Sequence, residues 1–188
     1  VYLGLKFLGP DLDGVSWLGF GRLRPIHTNT VFWGWASHGM VGLAYYVVPR
    51  TCRRTLHSYR LGWMALASMS ASVVVGDACL AAGINNGAQE YREYVWPAMA
   101  LFAVGLGLTL YNFYMTVARR ATHEIYISNW YVIAALIWTL TLVTIAYVPL
   151  YQHGLGETAI QGYYMHQGVG MWFTPMVLGL TYYFLPKL

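Results

Sequence analysis

Three side chains able to hold a metal cofactor gather near the start of this 188-residue chain. His27 follows Arg24 by three residues and Arg22 by five, with Pro25 between, at the mouth of a long uncharged segment. Proline fits the first turn of a helix, where its missing N–H has no intrahelical partner to lose. The spacing therefore predicts an imidazole about one turn inside an apolar helix, with two guanidiniums at its rim. Such a set suits a metalloporphyrin, the ring nitrogen ligating iron and the arginines pairing with the acidic propionates at the membrane edge. It equally suits a helix-capping histidine beside arginines that anchor to lipid headgroups, and chemistry alone leaves both readings open.

A second histidine, His166, lies within the run Gln161-Gly162-Tyr163-Tyr164-Met165-His166-Gln167-Gly168-Val169-Gly170. For a helix starting near residue 157 it stands about 13 Å below the surface. An ionisable group at that depth is costly, which makes it a functional candidate; a neutral His bonded to a neighbouring helix is the alternative. Glu90 and Glu93 form an E-x-x-E pair ahead of Trp96-Pro97. Their hard oxygens suit Ca²⁺, close carboxylates can share protons, and a solvated acidic loop explains them as well. His38 returns to the face of His27 about 16 Å deeper, and could line a proton path, donate to a porphyrin edge or simply pack. Asp77, at a depth differing by about 6–12 Å, is not expected to pair with it. His57, His123 and His153 fall in loops, where solvated or interfacial roles suffice. Cys52 and Cys79 make no recognisable site and are not expected to bridge, and no C-x-x-C-H sequence for covalent haem is present.

The elements that must carry these residues are membrane helices. Hydrophobic residues make up 57% of the chain and charged residues 10%, against about 25% charged in soluble domains. Residues 25–49, 94–118, 125–156 and 158–186 contain no Asp, Glu, Lys or Arg, and 61–85 is interrupted only by Asp77. Each exceeds the roughly 20 residues needed to cross a bilayer. We expect an all-α polytopic transmembrane bundle, one membrane domain over 1–188, with five complete spans near 26–48, 61–84, 96–118, 128–148 and 158–184. Residues 1–8 are too short to span and look like the tail of an earlier helix, so the polypeptide is expected to be part of a larger subunit. The +4 formal charge is no nucleic-acid signal. Arg50, Arg53, Arg54, Arg60, Arg119, Arg120 and Lys187 cluster at one set of loop ends, which the positive-inside rule makes cytoplasmic. Asp11, Asp13, Glu90, Glu93 and Glu157 fall on the other side with Arg22, Arg24 and Arg92, so His27 enters from the periplasm-like face. Most of the eight Trp and sixteen Tyr suit interface anchors.

The literal strings add a resemblance. Residues 19–30, Gly-Phe-Gly-Arg-Leu-Arg-Pro-Ile-His-Thr-Asn-Thr, resemble the start of the second transmembrane helix in the catalytic subunit of the cbb-type cytochrome c oxidases, in the haem–copper oxidase superfamily. The likeness continues through Tyr45-Tyr46-Val47-Val48-Pro49-Arg50-Thr51, Glu90-Tyr91-Arg92-Glu93, Ile125-Tyr126-Ile127-Ser128-Asn129-Trp130, Tyr163-Tyr164-Met165-His166-Gln167 and Tyr182-Tyr183-Phe184-Leu185-Pro186-Lys187. It covers nearly the whole chain and matches the N-terminal half of that subunit, helices one to six.

The resemblance implies that His27 is an axial ligand of low-spin haem b, with Arg22 and Arg24 near its propionates. It implies that His166 ligates the copper facing a high-spin haem, and that Glu90 belongs to a calcium site with Glu93 in support. The implied reaction is reduction of O₂ to water at a bacterial inner membrane, with electrons from partner c-type cytochrome subunits and coupled proton uptake or pumping. The remaining metal ligands would come from further chain. Gly170, one turn after His166, supplies neither the cross-linked Tyr of the mitochondrial-like oxidases nor the iron-binding Glu of nitric oxide reductases, which favours copper and oxygen. A nitric oxide reductase of the same superfamily and a non-catalytic b-haem electron-transfer or assembly subunit stay open. His38 and Asp77 depart from the family pattern.

Overall fold

The computed structural model describes residues 8–9, 14–87, 90–148 and 153–188. The helix tail expected over 1–8, all but Leu8, lies outside the described residues, as do Asp11 and Asp13. Among the described residues the chain is helical with no strand. A short 3₁₀ turn, Ser16–Leu18, leads into α1 (Phe20–Asn29). The backbone then continues without a break through a π-helical segment, Thr30–Ala36, into α2 (Ser37–Thr51). Next come α3 (Tyr59–Ala82), α4 (Trp96–Ala118) and α5 (Ile127–Tyr147). The last rod runs from α6 (Leu155–Gln167) through a second π segment, Gly168–Phe173, into α7 (Thr174–Phe184).

The five expected spans are therefore present. Three of them, α3, α4 and α5, are uninterrupted helices long and apolar enough to cross a membrane. The first and fifth are equally continuous but change hydrogen-bond register midway. Local sequence explains the boundaries. Ser58 accepts from the Leu61 N–H at the start of α3, and Gly83 closes that helix in the left-handed region (φ 82°). Pro97 sits in the first turn of α4. Pro25 is the exception. The helix begins at Phe20, so Pro25 lies inside it and His27 sits two turns in rather than one. The carbonyl that Pro25 leaves without an N–H, that of Gly21, lies at the exposed rim where water can serve it.

Packing rests on small residues and buried aromatics. Ser68 and Ser72 of α3 donate to the carbonyls of Leu101 and Ala98 on α4, at 2.7 and 2.6 Å. On the opposite flank a Cβ added to Gly179 of α7 would stand 3.1 Å from the Ser128 carbonyl of α5. Trp33, Phe102, Tyr94, Tyr164 and Trp172 are fully buried between these pairs. At the basic end Asn112 both accepts from the Ser58 N–H and donates to the Ser58 carbonyl, while Ala121 N–H reaches the Cys52 carbonyl. The loops rich in arginine are thereby gathered at one end of the bundle, as the charge pattern requires. Both cysteines are free.

Candidate functional site

His27 and His166 share an unusual setting. His27 lies three residues before the first π segment and His166 two residues before the second. Widened π turns are rare and concentrate at functional positions, because the extra residue redirects the side chains around it. Each widened turn is served by a side chain acting across five residues: Ser37 Oγ donates to the Phe32 carbonyl at 2.7 Å, and Thr174 Oγ1 to the Val169 carbonyl at 3.1 Å. Pro175 adds a cause in the second rod, since it cannot continue an i→i−4 ladder.

The two π segments pack on each other. Phe32 and Phe173 meet edge to face with centroids 4.5 Å apart, and Trp172 Nε1 donates to Ser37 Oγ at 2.8 Å. Gly168 leaves room for Phe32, whose Cζ would stand 3.3 Å from an added Cβ. Tyr91, held at φ 62°, offers one carbonyl to both rods, accepting from Trp33 Nε1 at 3.2 Å and Tyr164 OH at 3.1 Å. The register of one histidine-bearing rod is thus tied to that of the other.

Both imidazoles face away from this clasp. His27 shares an exposed stripe with Arg24, Val31, Trp35, Gly39 and Gly42, and a Cβ built on either glycine meets nothing within 4 Å. His166 shares another with Gly162 and Gly170, and Gly162 likewise faces open space. Neither imidazole has a hydrogen-bond partner among the described residues. His166 stands on the surface of the described helices, about 17 Å along its rod.

The outer end holds a ring of charged contacts. Arg24 pairs with Glu90 at 2.8 Å in a half-exposed position. Arg22 donates to the Ala81 carbonyl at 2.8 Å and lies against Gly83, where it satisfies the C-terminus of α3. Glu93 is buried and accepts from Asn29 Nδ2 at 2.8 Å. Burial pushes its carboxyl above the usual range, partly offset by the Asn29 bond and the charge of Arg24. Arg92, only 1% exposed, pairs with Glu157 at 2.6 Å. Gln161 donates to the Glu90 carbonyl at 3.1 Å, so the acidic loop is tied to α6 as well as α1. Among the described residues no three His, Cys, Asp or Glu side chains converge as a complete metal site.

Comparison with known proteins gives this arrangement its context. The sequence matches the family profile for Cytochrome C and Quinol oxidase polypeptide I over residues 1–188. The chain belongs to this family. It is 31% identical over its full length to the cbb3-type cytochrome c oxidase subunit CcoN1 of Stutzerimonas stutzeri, covering 41% of that protein. It is 31% identical over 97% of its length to cytochrome c oxidase subunit 1 of Rhodobacter capsulatus, covering 37% of it. A cytochrome c oxidase subunit 1 homolog of Agrobacterium tumefaciens is 27% identical over the whole chain, which covers 36% of it. The chain thus spans about two-fifths of these relatives, which bears out the resemblance to the cbb-type catalytic subunit.

His38 and Asp77 both have structural partners. His38 Nδ1 lies 3.0 Å from the Trp33 carbonyl, which can only accept, so Nδ1 carries the proton. Its Nε2 lies 3.2 Å from the Ser70 hydroxyl, so His38 links the π segment to α3. Asp77 accepts from Thr30 Oγ1 and Tyr94 OH, each at 2.7 Å, and does not meet His38. Sequence reasoning singled out neither Asn29 nor Thr30. These adjacent residues, two and three positions after His27, bind Glu93 and Asp77 in turn. Their polarity inside an apolar run was the available signal.

Proposed function

We propose that this chain is part of the catalytic subunit of a terminal respiratory oxidase that reduces O₂ to water, with electrons from c-type cytochrome subunits and coupled proton uptake. The observation that carries the reading is a pair of histidines without a hydrogen-bond partner among the described residues, each beside a π segment, in a chain of the oxidase polypeptide I family. The residues present fit the groups implied. His27 stands exposed between Arg24 and Val31 on its rod, and His166 opens onto Gly162 and Gly170, with no carboxylate among the described residues of its face. His27 would hold low-spin haem b and His166 copper, opposite a high-spin haem held by further chain. Haem and copper supply the electron transfer and oxygen chemistry when bound.

The protein's own contribution is position and charge. The clasp between π segments fixes the register of the two histidines relative to one another. Arg24, on the face of His27, is placed to pair with a propionate, and Arg22, two residues nearer the rim, is held on the Ala81 carbonyl. Glu90 has one oxygen on Arg24 and another without a partner among the described residues, which would be offered to Ca²⁺, with Glu93 behind it as support. By the positive-inside rule the arginine-rich end faces the cytoplasm of a bacterial inner membrane and His27 lies toward the periplasm.

The test is metal analysis and haem spectroscopy of the complete purified complex, with O₂ and NO consumption measured side by side. His166→Ala should lose copper and O₂ reduction while keeping the low-spin haem spectrum. His27→Ala should lose that spectrum. Non-haem iron at His166, or a low-spin spectrum that survives His27→Ala in an assembled complex, would overturn the assignment.

A further inference from the structure

A cavity of about 510 Å³ opens between α2 and α3 toward the basic end of the bundle. Its walls are apolar: Val41, Leu56, Leu66 and Met69, with Gly42 and Gly62 keeping it open. The Tyr45 hydroxyl on its floor is bonded to Thr109 Oγ1 at 3.2 Å, so no polar group there awaits a ligand. From His38 to Arg50 the cavity follows α2 for about 18 Å, close to the depth of one leaflet of a hydrocarbon core about 30 Å thick.

The rim has the opposite character. Arg50 lines the mouth with its guanidinium 4.2 Å above the Tyr46 ring, which holds it at the edge of the groove. Arg53 and Arg54 follow in the loop that leads to Leu56, and Arg60 begins α3; all four arginines are exposed. Arg53 adopts φ 48°, the left-handed turn that folds this loop back over the end of α2. Among the described residues no carboxylate lies within ion-pair distance of any of the four. Tyr59 and Trp63, exposed at the same mouth, have the amphipathic rings that settle at headgroup level.

We propose that this groove binds an anionic phospholipid, one acyl chain lying along α2 and the phosphate meeting Arg50. Arg50 at the mouth of an apolar slot, with Arg53, Arg54 and Arg60 exposed in the adjoining loop and first turn of α3 and without an ion-pair partner among the described residues, calls for an anion attached to a hydrocarbon. Guanidinium groups pair bidentately with phosphate, and basic pockets between transmembrane helices on the cytoplasmic side recognise such headgroups. The inference does not depend on which substrate the oxidase site uses.

The test is native mass spectrometry of the purified complex in detergent, titrated with palmitoyl-oleoyl phosphatidylglycerol and with phosphatidylcholine of the same chains. Phosphatidylglycerol should bind more tightly. Arg50→Gln should weaken it about fivefold while leaving phosphatidylcholine unchanged, and Arg50→Lys should retain most of the preference. Gly42→Leu, placed where nothing lies within 4 Å, should weaken both lipids by filling the slot. Equal binding of the two lipids by the unaltered complex would overturn the proposal. So would an Arg50→Gln or Gly42→Leu complex that binds phosphatidylglycerol normally, or a cryo-EM map with a protein helix in the groove. If either variant fails to assemble, the preference of the unaltered complex still decides.

Discussion

Removing the Ser37 hydroxyl should loosen the clasp between the two histidine-bearing rods. Ser37 is fully buried, accepts from Trp172 Nε1 at 2.8 Å and donates to the Phe32 carbonyl at 2.7 Å. In Ser37→Ala the Phe32 carbonyl keeps the backbone N–H of residue 37, so the orphan created is the indole N–H. A buried donor without a partner costs about 1–3 kcal/mol. Hydrogen bonds between membrane helices average about 0.6 and reach about 1.7 kcal/mol. Ser37→Ala should therefore destabilise the solubilised complex by about 1–2 kcal/mol. Trp172→Phe removes the donor but also shrinks a fully buried side chain, so its own cost mixes two effects. The double variant separates them, and the coupling energy should be about 0.6–1.7 kcal/mol. Unfolding midpoints supply the energies, and the low-spin haem band reports whether the helix of His27 has shifted. Coupling indistinguishable from zero would mean that the 2.8 Å contact carries no weight and that the rods are aligned by apolar packing alone.

Calcium retention after exhaustive dialysis should fall more in Glu90→Gln than in Glu93→Gln, because Glu90 is the half-exposed carboxylate while Glu93 is buried against Asn29; equal calcium in Glu90→Gln and the unaltered complex would refute this. The raised Glu93 carboxyl makes the folded state bind a proton more readily than the unfolded state. Its contribution is present below the ordinary carboxyl value of about 4.3 and is lost as pH rises through the raised one. Glu93→Gln, whose amide oxygen can keep the Asn29 bond, should gain stability over the unaltered complex as pH rises above that value, read from thermal midpoints across a pH series. A gap that stays constant with pH would place the titration elsewhere.

The spans were legible because membrane solvation writes a strong pattern: runs without charge, arginines at alternate loop ends, and prolines or glycines at the breaks. Predicted and observed boundaries of α3, α4 and α5 differ by two residues or fewer. The two π segments were not legible. Their cause lies in side chains acting across five residues, Ser37 on Phe32 and Thr174 on Val169, together with a partner 135 residues away in sequence. No periodicity argument sees such a shift, since one extra residue per turn changes the face of everything beyond it while leaving composition untouched. The start of α1 was misjudged for a related reason. Pro25 favours a first turn, but Phe20–Arg24 can still wind ahead of it where Gly21 faces the exposed rim.

The same shift explains why the histidines could be named from sequence while their surroundings could not. His27 and His166 were conspicuous as ionisable groups in apolar runs. What holds them is assembled by neighbours that look ordinary in the chain. Asn29 and Thr30 turn away from the exposed stripe of His27 and bind Glu93 and Asp77, anchoring α1 to the outer loop and to α3 immediately beyond the histidine. Tyr91, between Glu90 and Arg92, then ties that loop to both rods through a single carbonyl. An oxidase reading of this chain needs two imidazoles that are free on one side and immobile on the other. The exposed faces of His27 and His166 meet the first requirement, and the Asn29–Thr30–Tyr91 anchors with the Ser37–Trp172 clasp meet the second. The acidic outer loop thus fixes the geometry of the rods as well as offering carboxylates to a cation, so a change at Glu93 should be felt at the register of His27 even where calcium is retained.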